Sequence, residues 1–196
     1  MKSHVLALAA AAALSTLPAA AATFSYSSVL APEVPGATGS GTVQVVYDDF
    51  TNDLSISTSF GGLSGITTVA HIHCCVPVAG VGTIGVAVTP STLPGFPVGV
   101  SAGSYSATID LDQASSFTAG FITNFGGGTL AGASAALLAG LNTGTAYFNV
   151  HSNTFPGGEI RGFLAPDSVT TPVPEPSTYA LMLLGLAAVG AVARRR

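Results

Sequence analysis

Charge is scarce in this chain, and tryptophan is missing altogether. Only 7% of the 196 residues are charged, and five of them are Lys or Arg. Four of these five cations lie at the two ends, as Lys2, Arg194, Arg195 and Arg196. A protein that binds nucleic acid needs a patch of Lys and Arg that faces the phosphates. The sequence therefore excludes a nucleic-acid partner.

Motifs of several common enzyme classes are missing as well. The sequence contains no H-E-x-x-H pair and no G-x-x-x-x-G-K phosphate loop. It also lacks a convincing pair of carboxylates for acid–base catalysis. We therefore assign no catalytic residue and expect a protein that is not an enzyme, with a metal-dependent redox activity as the alternative.

An apolar run near the start predicts a signal peptide. Lys2 precedes the apolar residues 5–17, and the small residues 19–22 follow. A cation, a short apolar stretch and a small-residue cleavage site are typical of secretory signals. We expect residues 1–22 to be the signal peptide and Thr23 to begin the mature chain.

Beyond Thr23 the sequence changes to the two-residue period of β-strands. Short runs of alternating apolar and polar residues are separated by breaks rich in Gly, Pro and Ser. The predicted strands are 42–47, 54–60, 66–74, 83–88, 103–111, 144–152 and 159–164. This pattern predicts an all-β domain over residues 23–165, an antiparallel β-sandwich or barrel of the Ig-like or Greek-key type.

One helix is expected within this domain, at residues 131–141. Ser134 can cap it, and Leu137, Leu138 and Leu141 can dock on the sheet. Residues 166–172 are predicted to be a linker.

The most informative stretch is 144–164, GTAYFNVHSNTFPGGEIRGFL, which holds several of the few ionisable groups. Together with AHIH at 70–73, its YFNVHSNTFPGGEIRGFL portion resembles the signature of the CHRD domain, a β-rich module of many exported bacterial proteins. The resemblance extends over residues 42–164. The residues that it marks as a structural signature are Asn149, His151, Glu159 and Arg161.

The C-terminal segment carries a second resemblance. The order of its parts is Val173, Pro174, Glu175 and Pro176, then an apolar stretch at 177–193, then Arg194, Arg195 and Arg196. This order resembles the PEP-CTERM sorting signal of Gram-negative bacteria. The resemblance implies processing near the motif by an exosortase-type membrane protease.

The same segment predicts a transmembrane helix within residues 173–196. About 17 helical residues span about 25 Å, slightly less than a hydrocarbon core of ~30 Å. The three terminal arginines act as a stop-transfer signal and stay cytoplasmic, which leaves the domain on the exported side. We expect transient residence in the inner membrane and a final location at the cell surface or outside the cell. An ordinary tail anchor left uncut is the alternative.

Three histidines are candidate metal ligands. His71 and His73 are two residues apart on a predicted strand and therefore share one face. His151 lies on another predicted strand, which can be adjacent. Imidazoles in this number suit copper or zinc. The pattern loosely resembles copper/zinc superoxide dismutase, although this chain has no fourth histidine in its mature part and no candidate for a bridging imidazole.

The same side chains also have a structural interpretation. A histidine on a half-buried strand is usually hydrogen-bonded to a carbonyl or a carboxylate, and His151 can pair with Glu159 across the hairpin. Arg161 can pair with Glu159 or with another carboxylate. The sequence leaves the metal-binding and the structural interpretations open.

The two cysteines, Cys74 and Cys75, are adjacent in the sequence. Free thiols are unusual in exported proteins. Strand alternation points the two side chains to opposite faces, so a disulfide between them requires a break in the strand. The candidates are this vicinal disulfide, metal ligation by Cys75 beside the histidines, and a cross-link to another chain.

These observations predict an exported module of the cell surface or extracellular matrix with a binding or structural role. Its expected partners are the exosortase-type protease, the inner membrane during sorting, and exopolysaccharide or other surface proteins. The alternative function is a copper- or zinc-binding protein with a redox or metal-sequestering role that uses His71, His73 and His151.

Overall fold

The computed structural model describes residues 22–167 and 176–194. The predicted signal peptide lies outside the described residues except for Ala22. Val173, Pro174, Glu175, Arg195 and Arg196 lie outside them too.

Strands dominate residues 22–167 because apolar and polar side chains alternate there. In β3, for example, Leu54, Ile56 and Phe60 are buried while the serines between them are exposed. The strands are β1 (Thr23–Pro32), β2 (Ser40–Asp48), β3 (Asp53–Gly61), β4 (Thr67–His73), β5 (Val86–Val88), β6 (Gly103–Asp110), β7 (Tyr147–Ser152), β8 (Ile160–Phe163) and β9 (Ala165–Pro166).

The strands form one antiparallel sheet that curls into a half-barrel. Its order is β5-β4-β7-β8-β1-β2-β3-β6, and β9 pairs with β1. β1 joins the two halves of the sheet, because most of its length pairs with β2 whereas Ala31 and Pro32 at its end pair with β8. The antiparallel all-β class predicted from the sequence is confirmed.

The segment after β8 remains hydrogen-bonded to the sheet. β9 pairs with Tyr26 and Ser27, and the backbone N–H of Asp167 donates to the carbonyl of Ser25 at 2.8 Å. The first two residues of the segment expected to be a linker, Pro166 and Asp167, are therefore held by β1.

The segment of the chain between β6 and β7 is helical and covers part of the sheet. A 3₁₀ turn (Ala114–Ser116) and α1 (Ala119–Asn124) precede α2 (Leu130–Asn142). Ser134 does not cap α2 as expected, because the extended backbone of Thr129 places that residue at the N-cap, where its side chain accepts from the N–H of Gly132. Ser134 is buried inside the helix, and Leu137 and Leu141 join the core.

The apolar stretch of the C-terminal segment is helical, as α3 (Pro176–Ala193). A transmembrane span was expected in this segment. Within the two described ranges, no helix combines the length and the apolar character needed to cross a membrane.

The pairing of β4 with β7 brings distant parts of the sequence onto one face. Val69 lies opposite His151, His71 opposite Asn149, and His73 opposite Tyr147. Directly opposed residues share a face in an antiparallel pair. The next strand, β8, extends this face by placing Arg161 opposite Asn149.

Candidate metal centre

The histidine cluster, defined as His71, His73 and His151, lies on this face. Alternation along β4 puts the first two rings on one side of the sheet, and the register with β7 adds the third. The ring centroids are 5.3 to 6.2 Å apart. One ring nitrogen of each histidine lies within 4.8 Å of the other two. The side chains are buried, with 7 to 9% of each residue exposed.

One nitrogen of each ring contacts a backbone carbonyl. Nδ1 of His73 lies 2.7 Å from the carbonyl oxygen of Ile84, and Nδ1 of His151 lies 2.8 Å from that of Pro156. Nε2 of His71 contacts the carbonyl oxygen of Ser91. A carbonyl can only accept, so each contacting nitrogen carries the hydrogen. In the neutral ring, the remaining nitrogen then presents a lone pair.

These lone-pair nitrogens have no hydrogen-bond partner among the described residues. They are Nδ1 of His71, Nε2 of His73 and Nε2 of His151, and all three are buried. Metal-binding histidines commonly donate their second ring N–H to a carbonyl, which fixes the tautomer and the ring orientation. Three nitrogens bound to one tetrahedral zinc ion lie about 3.4 Å apart, so small side-chain movements would close the cluster around an ion.

Burial favours the neutral form of His71 and His73. The pKa of His71 is lowered to about 4, mainly by burial and also by the other two rings, against the hydrogen bond to Ser91, which raises it. Burial also lowers the pKa of His73, against the raising effect of the hydrogen bond to Ile84. A neutral imidazole is the form that binds a metal ion. The lone pairs of His71 and His73 are therefore available near neutral pH without a proton first being lost.

Tyr147 supports the cluster from the neighbouring strand. Its ring stacks on the ring of His73, with centroids 4.6 Å apart and planes 4° from parallel. The guanidinium carbon of Arg161 lies 5.3 Å from the centroid of the Tyr147 ring. The role of Tyr147 is not predicted from the sequence, although Tyr147, Asn149 and His151 follow one another at two-residue intervals, a signal that could have identified it.

The backbone carbonyls that contact the histidine rings are not predicted from the sequence either. Ser91, Ile84 and Pro156 lie in connections outside the strands, and they act through their backbones. No side-chain pattern in the sequence points to them.

Arg161 does not pair with Glu159. One of its guanidinium nitrogens lies 3.3 Å from the carboxylate of Glu33 and donates to the carbonyl of Gly82 at 2.9 Å. Glu33 follows β1 directly, and the pairing of Ala31 with Arg161 brings the two side chains together. Of the two alternatives for Arg161, Glu159 or another carboxylate, the structure has the second, because Glu33 is the acid beside it.

Glu159 is bound elsewhere and does not pair with His151, whose ring contacts the carbonyl of Pro156 instead, the other kind of partner that the structural interpretation allowed. Its Oε1 accepts from the backbone N–H of Ser64 at 2.5 Å and from the hydroxyl of Ser64 at 2.6 Å. Burial raises the pKa of this carboxyl, but hydrogen bonds from Ser152, Ser64 and Gly65 outweigh burial and leave it lowered. Glu159 therefore fastens the loop before β4 to the start of β8.

Cys74 and Cys75 form a disulfide. β4 ends at His73, immediately before this pair, as a disulfide between adjacent residues requires. Cys75 is therefore not part of the histidine cluster.

A G-x-S-x-G sequence occurs at residues 99–103 but does not form a nucleophile turn. Ser101 is exposed and is followed by strand β6 rather than by a helix. A nucleophile of this kind needs a strand-to-helix turn. Ser101 is therefore excluded as a catalytic serine.

Two family models match the chain. Residues 20–164 match the model of the CHRD domain, and residues 172–196 match the PEP-CTERM protein-sorting motif. No curated protein and no solved structure matches the chain significantly. Neither matching family is enzymatic.

The sorting motif defines the route of the chain. PEP-CTERM motifs are recognised by exosortase, a membrane protein. The motif implies export across the inner membrane and display at the cell surface after C-terminal processing. The chain therefore belongs to the CHRD domain family and is a member that carries a PEP-CTERM sorting motif.

Proposed function

We propose that this CHRD domain is a surface-displayed module that binds one copper or zinc ion through His71, His73 and His151. The observation that carries the proposal is a cluster of three buried histidines with ligand atoms within 4.8 Å of one another, each of which has one ring nitrogen without a partner among the described residues. Burying such polar atoms unpaired costs free energy, roughly 1–3 kcal/mol each. A bound ion removes this cost, and imidazole nitrogen suits both zinc and copper.

The role that we propose is to hold the ion rather than to catalyse a reaction. The three histidines are 7, 8 and 9% exposed, which leaves little room for a substrate beside an ion. Superoxide dismutation is not part of the proposal, because the chain lacks the further histidines and the bridging imidazole of that enzyme. The domain would thus act as a metal-sequestering module at the cell surface.

The test measures metal per chain. The full chain is exported by a host supplied with copper and zinc, purified, and analysed by mass spectrometry next to the His71→Ala/His73→Ala variant. We expect close to one ion per wild-type chain and almost none in the variant. The matched control is Gln44→Ala on the exposed face of β2, which should keep the ion. A folded wild-type chain without metal would contradict the proposal.

Ligand-linked stability provides a second measurement. An ion at 100 times its dissociation constant stabilises the folded state by about 2.7 kcal/mol. The melting temperature of the wild-type chain should therefore rise with added zinc or copper, and that of the double histidine variant should not.

A second candidate function concerns the outer face of the sheet. Side chains on this face of β1, β2, β3 and β6 are aligned in three uncharged cross-strand rows. The rows are Val29–Thr42–Ser59–Ser104, Ser27–Gln44–Ser57–Ser106 and Ser25–Val46–Ser55–Thr108. A shallow groove of about 710 Å³ runs over part of this face.

We propose that this hydroxyl face contacts neutral polysaccharide of the extracellular matrix. Hydroxyls both donate and accept, as sugar hydroxyls do, and neighbouring strands place the side chains within a row about 4.8 Å apart. In a sedimentation assay with insoluble neutral polysaccharide, Ser57→Arg should reduce the bound fraction. Ser101→Arg, in an exposed bend, is the matched control and should bind like the wild type. Equal binding of wild type and Ser57→Arg would rule out this face.

A further inference from the structure

Asn149 places a fourth buried polar atom beside the histidine cluster. Its Oδ1 has no hydrogen-bond partner among the described residues, and only 1% of the residue is exposed. The other unpartnered buried side-chain atoms in the described part of the chain belong to Tyr105, Ser134 and Glu159. Four of the seven such atoms therefore lie on one face of β4 and β7.

The orientation of the Asn149 amide follows from its neighbours. Its Nδ2 donates to Oε2 of Glu33 over 3.5 Å, a long hydrogen bond. A carboxylate only accepts, so the amide nitrogen faces Glu33 and Oδ1 points away from it. Asn149 lies between His71 on β4 and Arg161 on β8, and Glu33 is on the Arg161 side. Oδ1 therefore points away from the Glu33 side, and His71 is the neighbour of Asn149 on the opposite side.

The register of β4 with β7 supports this direction. Asn149 lies directly opposite His71, so its side chain shares the face of the histidine cluster. A cation bound by the unpartnered histidine nitrogens would lie on the same face as the unpartnered amide oxygen.

The residues that contact the Asn149 amide on the Glu33 side are tightly packed. Glu33 is held by Arg161 through the ion pair at 3.3 Å. A Cβ atom at Gly158 would overlap the Glu33 carboxylate and lie 3.0 Å from Nδ2 of Asn149. Gly158 also has a φ of +129°, which glycine alone adopts readily. The amide consequently has little freedom to turn its oxygen away from the cluster.

We propose that Oδ1 of Asn149 is the fourth ligand of the metal centre, which it completes as a site of three nitrogens and one oxygen. This inference rests on the proposed function. The carboxylate of Glu33 acts through the amide, since it polarises the ligand oxygen and compensates part of the charge of a divalent cation. A protein ligand in the fourth position leaves none open for water, as in structural rather than catalytic zinc sites.

The test compares the full wild-type chain with Asn149→Ala and Asn149→Asp. Each protein is titrated with zinc to measure affinity and with cobalt(II) to record the visible spectrum of the bound ion. Each is also loaded with copper(II) to measure the relaxation of water protons. Asn149→Ala should weaken zinc binding at least about 10-fold and change the visible cobalt spectrum. Relaxation of water protons by bound copper should be higher in Asn149→Ala, because water takes the vacated position. The control is Asn124→Ala, an exposed amide in α1 that should change none of these readings.

Asn149→Asp keeps the size of the side chain. It keeps the proposal testable if the alanine variant fails to fold. A carboxylate is a preferred oxygen ligand of zinc, but in this variant it also faces the carboxylate of Glu33. Asn149→Asp should therefore bind zinc more tightly than Asn149→Ala. Zinc affinity and cobalt spectrum unchanged in both variants would overturn the fourth ligand while leaving the histidine site intact. A wild-type chain that takes up no metal would overturn both proposals.

Discussion

Arg161 of β8 and Glu33, the residue after β1, form an ion pair of 3.3 Å. The pair lies where the end of β1, the strand that joins the two halves of the sheet, pairs with β8. The Glu33 side chain is 6% exposed and that of Arg161 is 22% exposed. The guanidinium also lies over the rings of Tyr147 and Phe163, at 5.3 Å from each centroid. This pair therefore connects the β1–β8 junction to the strand that carries His151.

Replacing Glu33 by Gln should destabilise the fold by about 3 kcal/mol, because the Arg161 cation then stays partly buried without its anion. The double variant Glu33→Gln/Arg161→Gln should be more stable than Glu33→Gln alone, since no unpaired charge remains. Urea unfolding of the three proteins measures this difference. Asp53→Asn at the start of β3 is a control and should change the free energy of unfolding by less than about 0.5 kcal/mol. A double variant less stable than Glu33→Gln would contradict this explanation.

Much of the fold could be predicted from the sequence because most strands bury every second residue. Leu54, Ile56 and Phe60 in β3 give a period that is readable without a structure. β1 was not assigned a strand of its own, because only Tyr26 and Leu30 are buried in it and these residues are four positions apart. α1 was missed for a similar reason, since only Phe121 of its six residues is buried.

The candidate site was predictable only in part. The shared face of His71 and His73 follows from strand geometry. The approach of His151 depends on the pairing of β4 with β7, which are far apart in the chain and whose adjacency no local pattern specifies. The partner of Arg161 was the least predictable feature. The sequence does not specify which carboxylate pairs with Arg161, and the fold places Glu33 beside it.

Acid should weaken the contribution of Glu159 to stability. The pKa of its carboxyl is lowered in the folded protein from an ordinary value of 4.5. The unfolded state therefore binds the proton first, and the stabilisation is present above about pH 4.5 and is lost as the pH falls through the lower folded pKa. At pH 7, Glu159→Gln should cost about 1–2 kcal/mol, because hydrogen bonds to a charged acceptor are stronger than those to an amide.

The measurement is urea unfolding of the wild type and Glu159→Gln from pH 7 to pH 3. The difference in the free energy of unfolding should shrink towards zero below pH 4.5, whatever the other carboxylates contribute to both proteins. A difference that stays constant over this range would show that the charge of Glu159 does not stabilise the fold.

Thr129 should contribute to stability as the N-cap of α2. Its Oγ1 accepts from the N–H of Gly132 at 3.0 Å and donates to the carbonyl of Gly126 at 3.1 Å. Thr129→Ala should lower the free energy of unfolding by about 1 kcal/mol, whereas Thr129→Ser keeps the oxygen and most of the stability. Equal losses in both variants, measured by urea unfolding, would exclude the cap as the cause.

Gly140 should be intolerant of even one added methyl group. It lies in α2, where a Cβ atom would overlap Sγ of Cys74 and approach Sγ of Cys75 to 2.7 Å. Alanine is otherwise favoured over glycine in a helix by roughly 0.5–1 kcal/mol, so the helical preference and the steric conflict act in opposite directions. The conflict should prevail, because overpacking against a buried disulfide costs about 1–3 kcal/mol. Gly120→Ala in α1 is the matched control, since a Cβ there has no atom within 4 Å. Thermal unfolding should show a lower melting temperature for Gly140→Ala and an unchanged or higher one for Gly120→Ala. A Gly140→Ala chain as stable as the wild type would mean that α2 does not pack against the disulfide in solution.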